Sequence, residues 1–215
     1  RVEELREEIA ELPEPEALGA PKGTPTIVAV MNESFTDLAA VGEGRISLSP
    51  DNLPFLHRLQ ESGEVIWGTA YSSVYGGNTC NSEYEFLTGN SLSFLPNGSK
   101  PYQQYVDQDQ TSLVSTLKDQ GYRCVAIHPG QRSAWSRDTA YPFLGFDEFL
   151  DVRTFTVSRR LEHNLTSDSS CYDQIIYEYE NRGDSPLFLF NVTIQNHGGY
   201  EDEDYPTTVK IQEAA

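Results

Sequence analysis

Basic residues are scarce in this sequence. Fifteen Lys and Arg stand against 33 Asp and Glu, a formal net charge of -18 and a pI near 4.4. Nucleic-acid binding needs a basic stripe, and these few cations form none. The acidity suits a soluble surface and would repel an anionic membrane unless local basic groups or a metal reverse the field. Cysteine is also sparse. Cys80, Cys124 and Cys171 are too few and too widely spaced for a disulfide scaffold or a zinc knuckle, and an odd count leaves at least one thiol unpaired. No apolar run is long enough to span a bilayer, and no signal peptide opens the chain. There is no internal repeat. What is present, 215 residues at 38% hydrophobic content, is enough for one domain with a substantial core.

Residues 1–12 are charged, with Leu5, Ile9 and Leu12 at helical spacing, and read as a surface helix or stalk. Residues 13–25 carry four prolines and two glycines, a linker composition. The domain boundary is therefore expected there, with 1–25 as helix and linker and 26–215 as one domain. Residues 26–31 form an apolar, β-branched run typical of a strand buried on both faces. Further strands are expected at 65–71, 122–127 and 186–194, and helices at 51–62, 111–120 and 169–181. Strands alternating with helices imply an α/β fold with a mostly parallel sheet covered on both faces.

The stretch from Val74 to Gly89 reads V-Y-G-G-N-T-C-N-S-E-Y-E-F-L-T-G. Gly76 and Gly77 permit a sharp turn and close approach of a ligand, and the helix that follows offers unpaired N–H groups to an anion. Thr79, at that junction, is either an exposed nucleophile or a plain N-cap. Local sequence leaves both open. Each expected strand, however, leads into a chemically capable residue: Glu33, Thr79, His128 and His197. Parallel strands point their carboxyl ends one way, so these four gather on one edge. A carboxylate, a hydroxyl and two imidazoles there suit metal-assisted displacement at phosphorus.

Asn32-Glu-Ser-Phe35, Gly76-Gly-Asn-Thr79 with Glu83-Tyr-Glu-Phe86 and Leu87-Thr-Gly89, Trp135-Ser-Arg-Asp138 and Asn196-His-Gly-Gly-Tyr200 together resemble the extracellular domain of lipoteichoic acid synthases. Those are phosphoglycerol transferases of the alkaline phosphatase/sulfatase superfamily. The resemblance implies Glu33 as a metal ligand, Thr79 as nucleophile and ligand, and Trp135, Arg137, His197 and His128 around a glycerophosphate. It implies manganese as the divalent ion, with magnesium or zinc as alternatives. The donor it implies is phosphatidylglycerol and the acceptor a polyglycerophosphate chain, in an enzyme at the outer face of the cell membrane whose anchor this chain lacks.

That family completes its metal site with an Asp-His pair, and no such dipeptide occurs here. The expectation is that these residues form an amino-terminal portion of the catalytic domain, binding metal poorly and turning over little alone. Several local alternatives stay open. Trp135 serves either the core or a ligand's edge. Arg137 pairs with Asp138 or Asp147 on the surface, or grips phosphate in bidentate fashion. Cys80 invites comparison with a sulfatase's modified cysteine, but the proline and arginine of that motif are missing after it, which favours a buried small residue. A phosphodiesterase, a phosphoethanolamine transferase and a catalytically dead glycerophosphate-binding module are the competing functions.

Overall fold

A computed structural model describes residues 23–41, 46–198 and 209–213. In chain order the elements are β1 (Ile27–Met31), α1 (Leu38–Val41), β2 (Ile46–Ser49), α2 (Pro54–Ser62), α3 (Thr79–Thr88), α4 (Pro101–Gln104), α5 (Leu113–Asp119), β3 (Arg123–Ile127), α6 (Arg137–Leu144), β4 (Glu148–Leu150), β5 (Leu161–Glu162), β6 (Leu165–Thr166), α7 (Asp168–Glu180), β7 (Leu187–Val192) and β8 (Lys210–Glu213). The expected helix at 1–12 and most of the linker lie outside the described residues.

Four strands make one parallel sheet in the order β1-β7-β3-β4. Its two faces can be read from the period-two alternation of a strand. Cys124, Ala126, Phe188, Phe190 and Val192 face one large cluster with Leu87 of α3, Val114 and Leu117 of α5, and Tyr141 and Leu144 of α6. Val125, Ile127, Leu187 and Leu189 face the opposite way onto Ile175 of α7. Strand β7 is buried at all six positions, which explains its unbroken apolar sequence. The mostly parallel α/β sheet with helices on both faces is the fold expected from sequence.

Two strand assignments need correction. β1 is not buried on both faces: among the described residues it is an edge strand, with Val28 and Val30 more than two-fifths exposed. Residues 65–71 form no strand. Ile66 and Tyr71 stand almost fully in solvent and the segment joins no ladder. β-branched and aromatic content marks a segment that fits a pleated, half-buried surface, and here no described strand offers that surface. Two antiparallel pairs were not expected. β2 pairs with β8, and β5 turns into β6 through His163-Asn164, both left-handed as a two-residue hairpin of this type requires.

Candidate active site

Parallel strands β1, β7 and β3 end on one edge of the sheet, followed by Glu33, Thr193 and His128. The fourth contributor arrives differently from the expectation. Thr79 follows an irregular segment rather than a strand, and it is the first residue of α3, with Asn78 as the N-cap. It is therefore not an N-cap, and its hydroxyl is free of that duty. Thr79 Oγ1 donates instead to Glu33 Oε1 at 2.5 Å, across 46 residues of sequence. Glu33 is held in turn by its backbone N–H, which donates to Thr193 Oγ1 at 3.2 Å.

The turn into Thr79 is fixed from both sides. Gly76 and Gly77 have φ of 63° and 77°, values that L side chains adopt rarely. The Glu85 carboxylate accepts from the Ser72 and Ser73 hydroxyls, from Ser73 N–H and from Leu92 N–H at 2.8 Å, tying the approach loop to α3. Asn78, Ser34, Trp135 and Ser136 all have φ near 60°. Each lies within two residues of Thr79, Glu33 or Arg137. Sparsely populated backbone of this kind gathers where side chains must be aimed.

Thr79 and its neighbour Cys80 point in different directions. Cys80 is fully buried in the core, and burial pushes its thiol up to about 12, with the Glu83 carboxylate adding to the effect. It is a thiol at neutral pH, buried as its sequence context suggested. Cys124 and Cys171 are likewise free and buried.

Arg137 does not sit on the surface beside an aspartate. Its guanidinium is 2% exposed and pairs with neither Asp138 nor Asp147. Nε donates to both Glu83 oxygens at 3.2 and 3.1 Å, Nη2 donates to Oε1 at 2.5 Å, and the Tyr141 hydroxyl donates to Oε2 at 2.8 Å. Burial opposes the arginine's charge, but the Glu83 carboxylate more than compensates, and its pKa is raised. Glu83 lies one helical turn beyond Thr79, so this pair links the helix that carries Thr79 to the Trp135–Arg137 segment. Trp135 is half-buried against the core, with the Lys100 ammonium 5.0 Å from its ring centre.

His128 is buried, and its Nδ1 lies 2.9 Å from the Val192 carbonyl. A carbonyl only accepts, so Nδ1 carries the proton and Nε2 is left as an acceptor. Burial, then the Arg137 charge, lowers its pKa to about 4. The folded pKa lies below the unfolded value of about 6.5. The stability gained from a neutral His128 is therefore complete above pH 6.5 and is lost as pH falls from there towards 4. The loss should reach about 3 kcal/mol near pH 4. Urea unfolding at pH 7 and pH 4.5 should show this drop in wild type and a much smaller one in His128→Asn. Gly130 closes over the same ring: a Cβ there would meet His128 Nε2 at 2.5 Å. Gly130→Ala should cost about 1–3 kcal/mol, because a pinned, buried ring has little room to move. A thermal melt within a degree of wild type would contradict that.

His197 is exposed beyond β7, near enough that its charge contributes to the depressed pKa of His128. The structure thus brings Glu33 and Thr79 into contact, places His128 and Arg137 beneath the surface, and leaves His197 and part of Trp135 accessible. Sequence reading assigned no role to Glu83, Lys100, Thr193 or Asp168. Asp168 lies at the start of α7, where Asn196 Nδ2 donates to it at 3.3 Å and its own N–H donates to Gln195 Oε1 at 2.8 Å. Burial raises its pKa. It braces the loop that carries His197, a role visible only when the chain is folded.

As a metal site, Glu33 and Thr79 offer two oxygen donors suited to a hard divalent cation. Among the described residues no group of three or more His, Cys, Asp or Glu shares a metal position. Two ligands fall short of a closed site.

The fold, a parallel α/β sheet with a hydroxyl at a helix start set against a carboxylate at a strand end, is shared with alkaline phosphatase/sulfatase-like domains. The chain belongs to the sulfatase family, whose model matches residues 25–214. Among its relatives is a protein of Rhizobium meliloti (strain 1021) named for cyclic beta-1,2-glucan modification, 36% identical over 192 residues, which are 89% of this chain. A lipoteichoic acid synthase of Staphylococcus saprophyticus is 29% identical over 165 residues, 75% of the chain. The solved structure of the Streptococcus pyogenes phosphoglycerol transferase GacH in complex with sn-glycerol-1-phosphate shares the fold, with a TM-score of 0.74 and 24% identity over 99% of this chain. The chain spans 28% of the Rhizobium relative, 24% of the synthase and 53% of the GacH chain.

Proposed function

We propose that this chain carries the nucleophile of a metal-dependent phosphoglycerol transferase acting on phosphatidylglycerol. The observation behind this reading is the 2.5 Å hydrogen bond from Thr79 Oγ1 to Glu33 Oε1. That bond aims the hydroxyl proton at a carboxylate and leaves the oxygen lone pairs for phosphorus. The Thr79 hydroxyl gives its proton to Glu33 as its oxygen bonds to phosphorus, the bond from phosphorus to the diacylglycerol oxygen breaks with that oxygen taking up one proton, and the glycerophosphoryl group stays on Thr79. An acceptor hydroxyl then displaces Thr79 and takes the group. Glu33 and Thr79 would hold the cation, manganese by family resemblance, which when bound supplies positive charge against the phosphate and the threonine oxygen.

His197 and Lys100 meet the non-bridging oxygens as cations or donors. Trp135 lines the same side. Neutral His128, with Nε2 as acceptor beneath Gly130, does not suit a phosphate oxygen and would meet a glycerol hydroxyl only with that turn displaced. Arg137 reaches phosphate only if Glu83 shares it, so its first role is to position the Trp135 segment. With two protein ligands, the isolated chain is expected to bind the cation weakly and turn over slowly. The site belongs at the outer face of the cell membrane, although no helix among the described residues is long and apolar enough to cross one.

A polyglycerophosphate acceptor makes this a lipoteichoic acid synthase. A glucan hydroxyl as acceptor is favoured by one observation: the 36% identical relative is named for cyclic beta-1,2-glucan modification. The test is incubation of the full-length protein with phosphatidylglycerol, a divalent ion and each acceptor. Diacylglycerol release with glycerophosphate added to either acceptor is the expected result. Release of free glycerophosphate alone would make it a phosphodiesterase, and no release at all would leave a binding module.

A further inference from the structure

Beyond His128 and Trp135 the same edge of the sheet continues to β4. Parallel strands lie about 4.8 Å apart, so the end of β4 is roughly 14 Å across the sheet from the end of β1. Asp151 follows β4 directly and is buried at 3% exposure. A pocket of about 390 Å³ opens there, lined by Gln131, Arg132, Asp138, Asp151, Arg153 and Thr154 among others. This size falls in the range of small-ligand sites.

The lining is built rather than incidental. Asp151 Oδ1 accepts from the N–H groups of Arg153 and Thr154 at 3.0 and 3.2 Å and from the Thr154 hydroxyl at 3.0 Å. Arg132 lies over Phe149 with its guanidinium carbon 5.0 Å from the ring centre, donates to the Phe149 carbonyl and pairs with Asp151 at 3.4 Å. These contacts fix one guanidinium and one carboxylate. The other pair, Arg153 and Asp138, is exposed at the rim, with charged ends not engaged among the described residues. Two guanidiniums and two carboxylates leave the pocket near neutral. A polyanion would meet the carboxylates at close range and the -18 charge of the chain at long range. A polyhydroxyl ligand meets no such penalty, because each sugar hydroxyl both donates and accepts and the lining supplies partners for each.

We infer that this pocket is a saccharide subsite, holding a sugar acceptor one or two residues away from the hydroxyl that receives the phosphoryl group. The proposal deepens the glucan-acceptor reading and rests on it for biological meaning, but the binding stands or falls alone. The experiment is calorimetric titration of the full-length protein and its double variant Asp138→Asn/Arg153→Ala. The probes are a β-1,2-linked glucan oligosaccharide and, separately, sn-glycerol-1-phosphate. Both substituted side chains are exposed, so folding is preserved. The expected result is glucan binding to wild type that weakens about tenfold in the variant, with glycerol phosphate affinity unchanged. Equal glucan affinity in both proteins, no glucan binding to wild type, or a loss confined to glycerol phosphate would each overturn the subsite. Variant-sensitive glucan binding without transfer of glycerophosphate to glucan would uphold the subsite and defeat the acceptor reading.

Discussion

Thr79→Ala in the full-length protein should lower release of diacylglycerol from phosphatidylglycerol by at least about 10³-fold. It should also abolish any glycerophosphate adduct found by mass spectrometry after an acid quench. The substitution removes the hydroxyl that donates to the Glu33 carboxylate at 2.5 Å. Cys80 follows in sequence but faces the core as a thiol whose pKa is pushed up to about 12. A thiol held protonated and buried does not attack phosphorus at neutral pH. Thr79 itself is half-buried at the first position of α3, so its loss should change the melting temperature by only a degree or two. Activity and stability therefore separate. Thr79→Ser keeps a hydroxyl on the same backbone and should retain an adduct. An adduct that persists in Thr79→Ala, or that maps to Ser82, would reject Thr79 as the nucleophile.

The sheet was legible because its inner strands carry an unambiguous signal. Residues 122–127 and 186–194 are apolar runs bounded by Gly121 and Pro186 on one side and polar residues on the other, and β3 and β7 fall inside them. The same rule failed at residues 65–71, where composition resembles a strand but no described neighbour supplies hydrogen bonds. A strand is a property of a pair, and sequence reports only one member. The edge rule correctly sets Glu33 and His128 at one end of the sheet, but it reached Thr79 through a strand at 65–71 that does not form, so the contact between Glu33 and Thr79 was expected for the wrong reason. The surroundings of Arg137 were not. Asp138 and Asp147 are nearer in sequence, yet the partner is Glu83, 54 residues away, and nothing local distinguishes Glu83 from Glu85 two positions on. On a helix those two glutamates diverge by about 200°, so one enters the core and the other ties down the Ser72–Ser73 loop. The difference is created by packing.

That buried pair makes the largest stability prediction. Glu83→Ala should destabilise the fold by about 3–5 kcal/mol, because Arg137 at 2% exposure and the Tyr141 hydroxyl would both lose their acceptor without gaining water. For a domain of this size that is a fall in melting temperature of roughly 10 °C. Glu83→Gln keeps the shape and one acceptor oxygen but not the charge, and should fall between alanine and wild type. The decisive comparison is a double variant, Glu83→Leu/Arg137→Met. Removing both charges and filling the space should recover most of the loss, since desolvation of an ion pair consumes much of its attraction. The ion pair would then prove dispensable for folding. Its remaining purpose would appear in catalysis: the double variant should be stable yet slow, because the Trp135–Arg137 segment is no longer held in register with the helix that carries Thr79. A double variant as active as wild type would show instead that the pair only fills the core.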